Sequence, residues 1–201
     1  MHARNDSSPQ SAKMRKGDAA ELSISLADGF TRMHQPGVRV SVEIERKFLL
    51  GAEPDWPSAG AGGLRRIEFE QVYLRVTEAV EKRIRRRVDG GRVSYEYASL
   101  TPARGGERTV EEVGIDGVEY ERLKAGRDVA RHVIRKTRTT FAWGDHVYEV
   151  DHITDPVSRA CWLLEVQVAR RDDEVAIPEF LPVVREVTGE AAYRNAHIAL
   201  G

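Results

Sequence analysis

Cysteine is almost missing from this chain. Cys161 is the only one in 201 residues, which excludes an intrachain disulfide framework and any cysteine-based zinc cluster. No apolar run approaches the roughly 18 residues that a membrane-spanning helix needs, and the first residues lack the apolar core of a secretion signal. A reducing, cytoplasmic setting with no membrane partner is expected. Net charge is also lacking: 31 basic residues against 32 acidic ones leave −1, so the chain as a whole has no attraction for nucleic acid or anionic lipid. Any anion site must be local. Lysine is scarce as well, at 6 of those 31 cations against 25 arginines, so the positions of the arginines have to carry the functional argument.

What is present is enough apolar material, 41%, for one ordinary core. Residues 1–37 are rich in Ser, Ala, Gly and Asp with little periodicity and read as a flexible N-terminal tail; 38–201 read as the folded domain. From Val38 to Leu50 the pattern alternates, with Val42, Ile44 and Phe48 on one face and Glu43, Glu45 and Lys47 on the other, which is a strand. Gly51 to Gly63 reads as a loop. Further strands are expected at about 67–76, 80–88, 92–100, 107–115, 131–140, 145–153 and 161–169. Asp89-Gly90-Gly91 and Gly144-Asp145 mark hairpins. Three stretches read as helical: Val118–Arg127, Pro178–Thr188 and Ala191–Leu200. Eight strands at hairpin spacing, with no crossover helices between them, predict a mainly β protein whose antiparallel strands close into an eight-stranded barrel flanked by a few helices.

Several strands segregate charge by sign on one face. Arg83, Arg85 and Arg87 share a face, as do Lys136 with Arg138, Glu149 with Asp151, and Glu165 with Gln167, because a spacing of two returns a strand side chain to the same side. Like charges two apart repel, so a solvated strand gains more from mixed signs. Facing inward, a basic wall suits phosphate oxygens and an acidic wall suits a hard divalent cation. The six histidines are scattered without metal-ligand spacing, and Cys161, Trp143 and Tyr148 read as packing residues.

The residues themselves form a recognisable order. Glu43-Ile44-Glu45-Arg46-Lys47 resembles the ExExK signature of the triphosphate tunnel metalloenzymes, the CYTH superfamily. Arg83-Ile84-Arg85 resembles its RxR strand, Ile134 to Arg138 its IxKxR strand, Val147 to Asp151 its ExD strand, and Leu164 to Gln167 its ExE strand. Glu186-Val187-Thr188-Gly189 with Tyr193-Arg194-Asn195 is similar to its closing segment. The resemblance covers the chain from about residue 40 to its end. It implies a tunnel in which Glu43, Glu45 and Lys47 form the catalytic set. Lys47, Arg83, Arg85, Arg87, Lys136 and Arg138 would bind substrate phosphates, and Glu43, Glu45, Glu149, Asp151, Glu165 and Gln167 would hold Mg²⁺ or Mn²⁺. Gln167 stands where the family has a second acid. Tyr97 to Leu100 lack the family's fourth-strand lysine, for which Arg104 is the candidate replacement.

The implied activity is metal-dependent hydrolysis of inorganic triphosphate or a nucleoside triphosphate. Cyclisation of ATP to cyclic AMP and pyrophosphate, and binding of polyphosphate or nucleotides without catalysis, stand as alternatives. The expected partner is a small molecule bearing a triphosphate. Nucleic acid is not expected, apart from an RNA 5′-triphosphate end, and a homodimer is left open.

Overall fold

The architecture follows from a computed structural model that describes residues 32–35, 37–56, 63–102 and 107–201. Eleven strands lie in one antiparallel sheet: β1 (Arg32–Gln35), β2 (Val38–Glu43), β3 (Glu45–Leu50), β4 (Arg65–Val76), β5 (Glu81–Asp89), β6 (Arg92–Pro102), β7 (Arg108–Ile115), β8 (Ile134–Trp143), β9 (His146–Asp155), β10 (Cys161–Gln167) and β11 (Val183–Glu186). Their order across the sheet is β1-β2-β7-β6-β5-β4-β8-β9-β10-β3-β11. No hydrogen-bonded ladder joins β2 to β3 among the described residues. The chain itself does, through Ile44, whose carbonyl accepts from the Val168 amide at 3.0 Å. With β2 and β3 taken as one stave, the wall has the eight staves predicted from the alternation, and β1 and β11 are additions outside it.

The hairpins form where the glycines require them. Asp89 faces Arg92 across a two-residue turn in which Gly90 and Gly91 both have positive φ, 56° and 81°, the conformation that a Gly-Gly pair adopts without strain. Helix α1 (Gly117–Ala125) starts where Asp116 accepts from the Glu119 amide at 2.8 Å, satisfying one of the open amides of a helix start. It covers the outer faces of β4 to β6, packing Tyr120 against Val72 and Ile84. A second outer cluster seats Phe48, Tyr148, Val150, Leu164 and Val166 under Leu181 and its neighbours. Tyr148 and Trp143 belong to this packing: the Tyr148 hydroxyl donates to the Ala176 carbonyl, and Trp143 meets the Phe180 ring edge-on.

The inner face changes character along the barrel. At one end Tyr73, Ile134, Ile153 and Leu163 point inward and pack against Ala196, Ile198 and Ala199 of the C-terminal segment. Further along the same strands the inward positions become Lys136 and Arg138, Asp151 and Glu149, Glu165 and Gln167. This gradient is how one strand supplies both core and site.

Three readings of the sequence need correction. The strand expected over 38–50 is two, broken at Ile44, because its halves bond to opposite ends of the sheet. Pro178–Thr188 is not helical: Val183–Glu186 pair with β3 as β11, consistent with the β-branched Val183 and Val184 behind Pro182. Ala191–Leu200 is a single 3-10 turn at Ala191–Tyr193 and a four-residue helix α2 (Asn195–Ile198), because this segment has to wrap the barrel end rather than run straight. Strand β1 falls inside the stretch read as a tail. Residues 1–31 of that stretch, residues 57–62 of the loop and Arg104 lie outside the described residues.

Candidate active site

Strand parity carries one row of side chains from each stave into the barrel. There they line a cavity of about 340 Å³ that includes Glu43, Glu45, Lys47, Arg83, Arg85, Arg87, Lys136, Arg138, Glu149, Glu165 and Gln167. Of the site residues read from the sequence, Asp151 alone is absent from the lining. It is fully buried behind the wall, where its carboxylate accepts from Lys136 Nζ at 2.6 Å and from Arg138 Nε and Nη2, both at 2.7 Å. In this arrangement Asp151 orients two cations. Gln167 is exposed to the cavity, opposite Glu45 across the β3–β10 pair.

Arg138 is the hub of the acidic side. It bonds Glu149 and Asp151 on β9 and, through Nη2 at 2.6 Å, Glu165 on β10. Lys47 holds Glu165 at 2.7 Å and Glu45 at 3.4 Å, and Arg108 reaches Glu45 at 3.0 Å. Burial alone would raise the Glu165 carboxyl, but Lys47, Arg138 and Lys136 around it hold it well below the usual range. Glu149 goes the other way, because burial outweighs Arg138 and the neighbouring Glu165 and Asp151 add repulsion. Glu43 is also raised, first by burial and then by Glu45, with Arg83 and Arg108 opposing. No described residue lies within ion-pairing distance of it, so it is the acid with the least local compensation.

On the basic side, Arg83 meets Glu81 at 3.4 Å, Arg85 meets Glu96 at 3.0 Å, and Arg87 meets Asp89 at 2.8 Å. Each of these arginines keeps an Nε donor that is buried without an acceptor among the described residues, and unsatisfied buried donors are costly. Phe69 on β4 sits among the cations: Arg85, Lys136 and Arg138 each approach its ring, at 5.9, 5.8 and 5.9 Å, so its face separates three like charges while attracting each of them. The Lys136 ammonium is pushed down by burial and by Arg138, with Asp151 opposing.

A second cavity, of about 380 Å³, opens at the end where β2 passes to β3. It shares Glu43, Glu45, Lys47, Glu81, Arg108 and Arg194 with the first. The two carboxylates of the ExExK strand therefore sit at the neck between the chambers. Arg39, Arg65, Phe69, Glu81, Glu96 and Arg194 are site residues missed in the sequence. The signal was available for Arg39 and Glu81, which keep the parity of Glu43 and Arg83 on the same strands. Arg194 reaches the site only through the C-terminal wrap, which no periodicity announces.

Glu96 offers a test of this electrostatic picture. Burial, then repulsion from Glu112, pushes its carboxyl up to about 6, with Arg83, Arg87 and Arg39 opposing. A carboxyl raised in the folded state binds its proton more tightly there than in the unfolded chain. The stability it contributes in acid is therefore lost as pH rises from about 4.5 through about 6. Glu96→Gln should remove that loss and gain up to about 2 kcal/mol over the wild type at pH 8 relative to pH 4.5. Urea unfolding midpoints at the two pH values measure it, and parallel shifts in both proteins would refute the burial of this charge.

No family model matches the sequence, and no curated protein matches it. Solved structures do. A crystal structure of the hypothetical protein NE1496 is 28% identical, with a TM-score of 0.54, covering 79% of this chain and 98% of that one. A crystal structure of the inorganic triphosphatase NE1496 is 27% identical, with a TM-score of 0.53, covering 79% of this chain and 95% of that one. The protein PH1819 from Pyrococcus horikoshii OT3 is similar at 18% identity and a TM-score of 0.45, over 66% of this chain and 81% of its own. The two NE1496 structures show the fold that this chain shares, and its strand motifs stand in the order in which they resemble those of the triphosphate tunnel metalloenzyme (CYTH) superfamily.

Proposed function

We propose that this protein hydrolyses a triphosphate chain inside the barrel, with inorganic triphosphate as the favoured substrate. The observation that carries the reading is the charge of the lining. The first cavity gathers ten cationic side chains against seven lining carboxylates among the described residues, and with Asp151 and Asp89, which pair with four of those cations from beside the lining, the balance is still positive, a concentration of donors that suits a polyanion. The likeness to an inorganic triphosphatase at 27% identity supports the same substrate class. Phe69 is the sole aromatic among the described lining residues of the two cavities, and three cations surround it. That leaves no free face for stacking a nucleobase and favours inorganic triphosphate over nucleotides.

Among the described residues no three acids stand close enough together to hold an ion as the side chains lie; Glu45 and Glu165 are bound to Lys47, Arg108 and Arg138, while Glu43 has no ion-pairing partner, and the donors are all oxygen, the type a hard cation takes. Glu43, Glu45 and Glu165 would hold Mg²⁺ or Mn²⁺, which when bound supplies charge neutralisation and polarisation of phosphoryl oxygens. The chain's own part is an exchange of partners. Lys47 and Arg138, now bound to Glu45, Glu149 and Glu165, would turn to phosphate oxygens as substrate enters, which frees the carboxylates. Arg83, Arg85 and Arg87 would donate their unsatisfied Nε groups to the chain and orient it. Asp151 would keep Lys136 and Arg138 aimed into the tunnel.

The reading is tested by a panel of triphosphate, ATP, GTP, thiamine triphosphate and 5′-triphosphate RNA with each divalent metal and identified products. Orthophosphate from triphosphate is expected. Cyclic AMP from ATP would instead establish the cyclase, and binding without turnover of any substrate would establish a binder. Gln167 gives a finer test. Opposite Glu45 and two residues from Glu165, it brings an oxygen but no charge to the acidic side. Gln167→Glu should lower the Mn²⁺ or Mg²⁺ concentration needed for half-maximal rate, and superimposable metal titrations would place Gln167 away from the ion.

A further inference from the structure

The cationic line of the tunnel continues past the ring of Lys136, Arg138 and Arg85 around Phe69. Two more guanidiniums follow toward the barrel end that carries the β5–β6 hairpin, Arg87 and Arg65, and both line the cavity. They share a single counter-ion. Asp89 Oδ2 takes Arg87 Nη2 at 2.8 Å and also Arg65 Nη2, while Oδ1 takes Arg65 Nε at 3.3 Å. This two-oxygen clasp of one guanidinium, with a second guanidinium on the same oxygen, is the way arginines grip a phosphate group. The Asp89 carboxyl is held below its usual range by the Arg65 hydrogen bonds, and Arg87 still has a buried Nε without an acceptor.

The position of Asp89 is fixed by the backbone. It is the last residue of β5, immediately before the Gly90-Gly91 turn. Along β5, Arg83 and Arg87 are separated by about 13 Å of strand, so Asp89 lies at the outer end of a row of donors that begins near the neck. Inner arginines are balanced by wall carboxylates that stay in the wall: Arg83 by Glu81, Arg85 by Glu96. The outer pair is balanced by a carboxylate on the hairpin, where a longer anion would arrive.

We propose that Asp89 is a specificity-determining residue. It occupies, with its carboxylate, an outer subsite in which Arg65 and Arg87 would otherwise hold a fourth phosphate group, and so sets the tunnel for triphosphate over longer linear polyphosphates. The inference rests on the reading of the tunnel as a triphosphate site. Asp89→Asn is the test, because asparagine keeps the shape of aspartate and removes only its charge.

Binding of inorganic pyrophosphate, triphosphate and tetraphosphate is measured by titration calorimetry without divalent cation, on the full chain. The variant should bind tetraphosphate about tenfold tighter, while triphosphate and pyrophosphate change by roughly twofold or less. Adding Arg65→Ala to the variant should cancel the gain. An equal gain for all three anions would reduce Asp89 to a general charge effect and overturn the proposal, as would no gain at all. If the wild type fails to bind triphosphate, the tunnel reading itself falls; if it binds triphosphate and the length preference does not move, only the role of Asp89 falls.

Discussion

An Arg138→Met protein should melt about 10 °C or more below the wild type. Arg138 is the common partner of Glu149, Asp151 and Glu165, and its side chain is largely buried. Asp151 is wholly buried, with no route to water. Removing one member of such a cluster leaves uncompensated charge in a poorly solvated place, at a cost of about 3–5 kcal/mol, and each kcal/mol moves the midpoint of a domain this size by about 2–4 °C. Methionine keeps much of the stem's volume, so the loss reports charge more than packing. Adding Asp151→Asn should recover part of the stability, since the double change removes a stranded charge, and the double-mutant cycle isolates that coupling. A drop below about 1 kcal/mol in the single variant would mean that the three carboxylates find other partners, and the hub would lose its meaning.

Glu43→Gln should give the opposite pairing of effects, with turnover abolished and the fold made more stable. The carboxyl is raised by burial, against Arg83 and with repulsion from Glu45, and has no ion-pairing partner among the described residues, so its charge near neutral pH costs stability in the metal-free protein. An amide of the same shape relieves that repulsion, yet brings no charge to a cation. Initial rates with Mn²⁺ and Mg²⁺, and thermal melts without metal, are the two measurements. Full activity in the variant would remove Glu43 from the metal wall. Lost activity together with lost stability would make it a structural residue.

Much of this was legible because strands report their faces through parity. The rows Arg83-Arg85-Arg87, Lys136-Arg138 and Glu165-Gln167 need no structure to be placed on common sides, and all line the cavity. Depth was not legible. Glu149 and Asp151 share a face, but one reaches the lumen and the other lies beneath Lys136 and Arg138, a difference set by where along the barrel each sits. The break at Ile44 left no trace at that residue, which keeps its place in the alternation between Val42 and Phe48, since pairing partners and not local pattern divide β2 from β3. Likewise the alanines of the C-terminal segment read as helix, whereas apolar contacts with Tyr73, Ile134 and Leu163 bend it across the barrel end. Phe69 was invisible for a different reason: an aromatic in a strand reads as core, and nothing nearby in sequence shows the three cations that gather on it.

The passage through Ile44 also bears on how the site behaves mechanically. Glu43 is carried by the edge that bonds to β7, and Glu45 by the edge that bonds to β10, so two residues adjacent but one in sequence ride on opposite banks of a seam that a single peptide segment stitches. Elsewhere in the wall, neighbouring staves are joined by ladders of backbone hydrogen bonds. Across Ile44 the two carboxylates keep the spacing of two positions on one chain, and the bend of the backbone there sets how they are aimed relative to each other. A substitution that stiffens or loosens the chain at Ile44 would therefore reach both carboxylates at once.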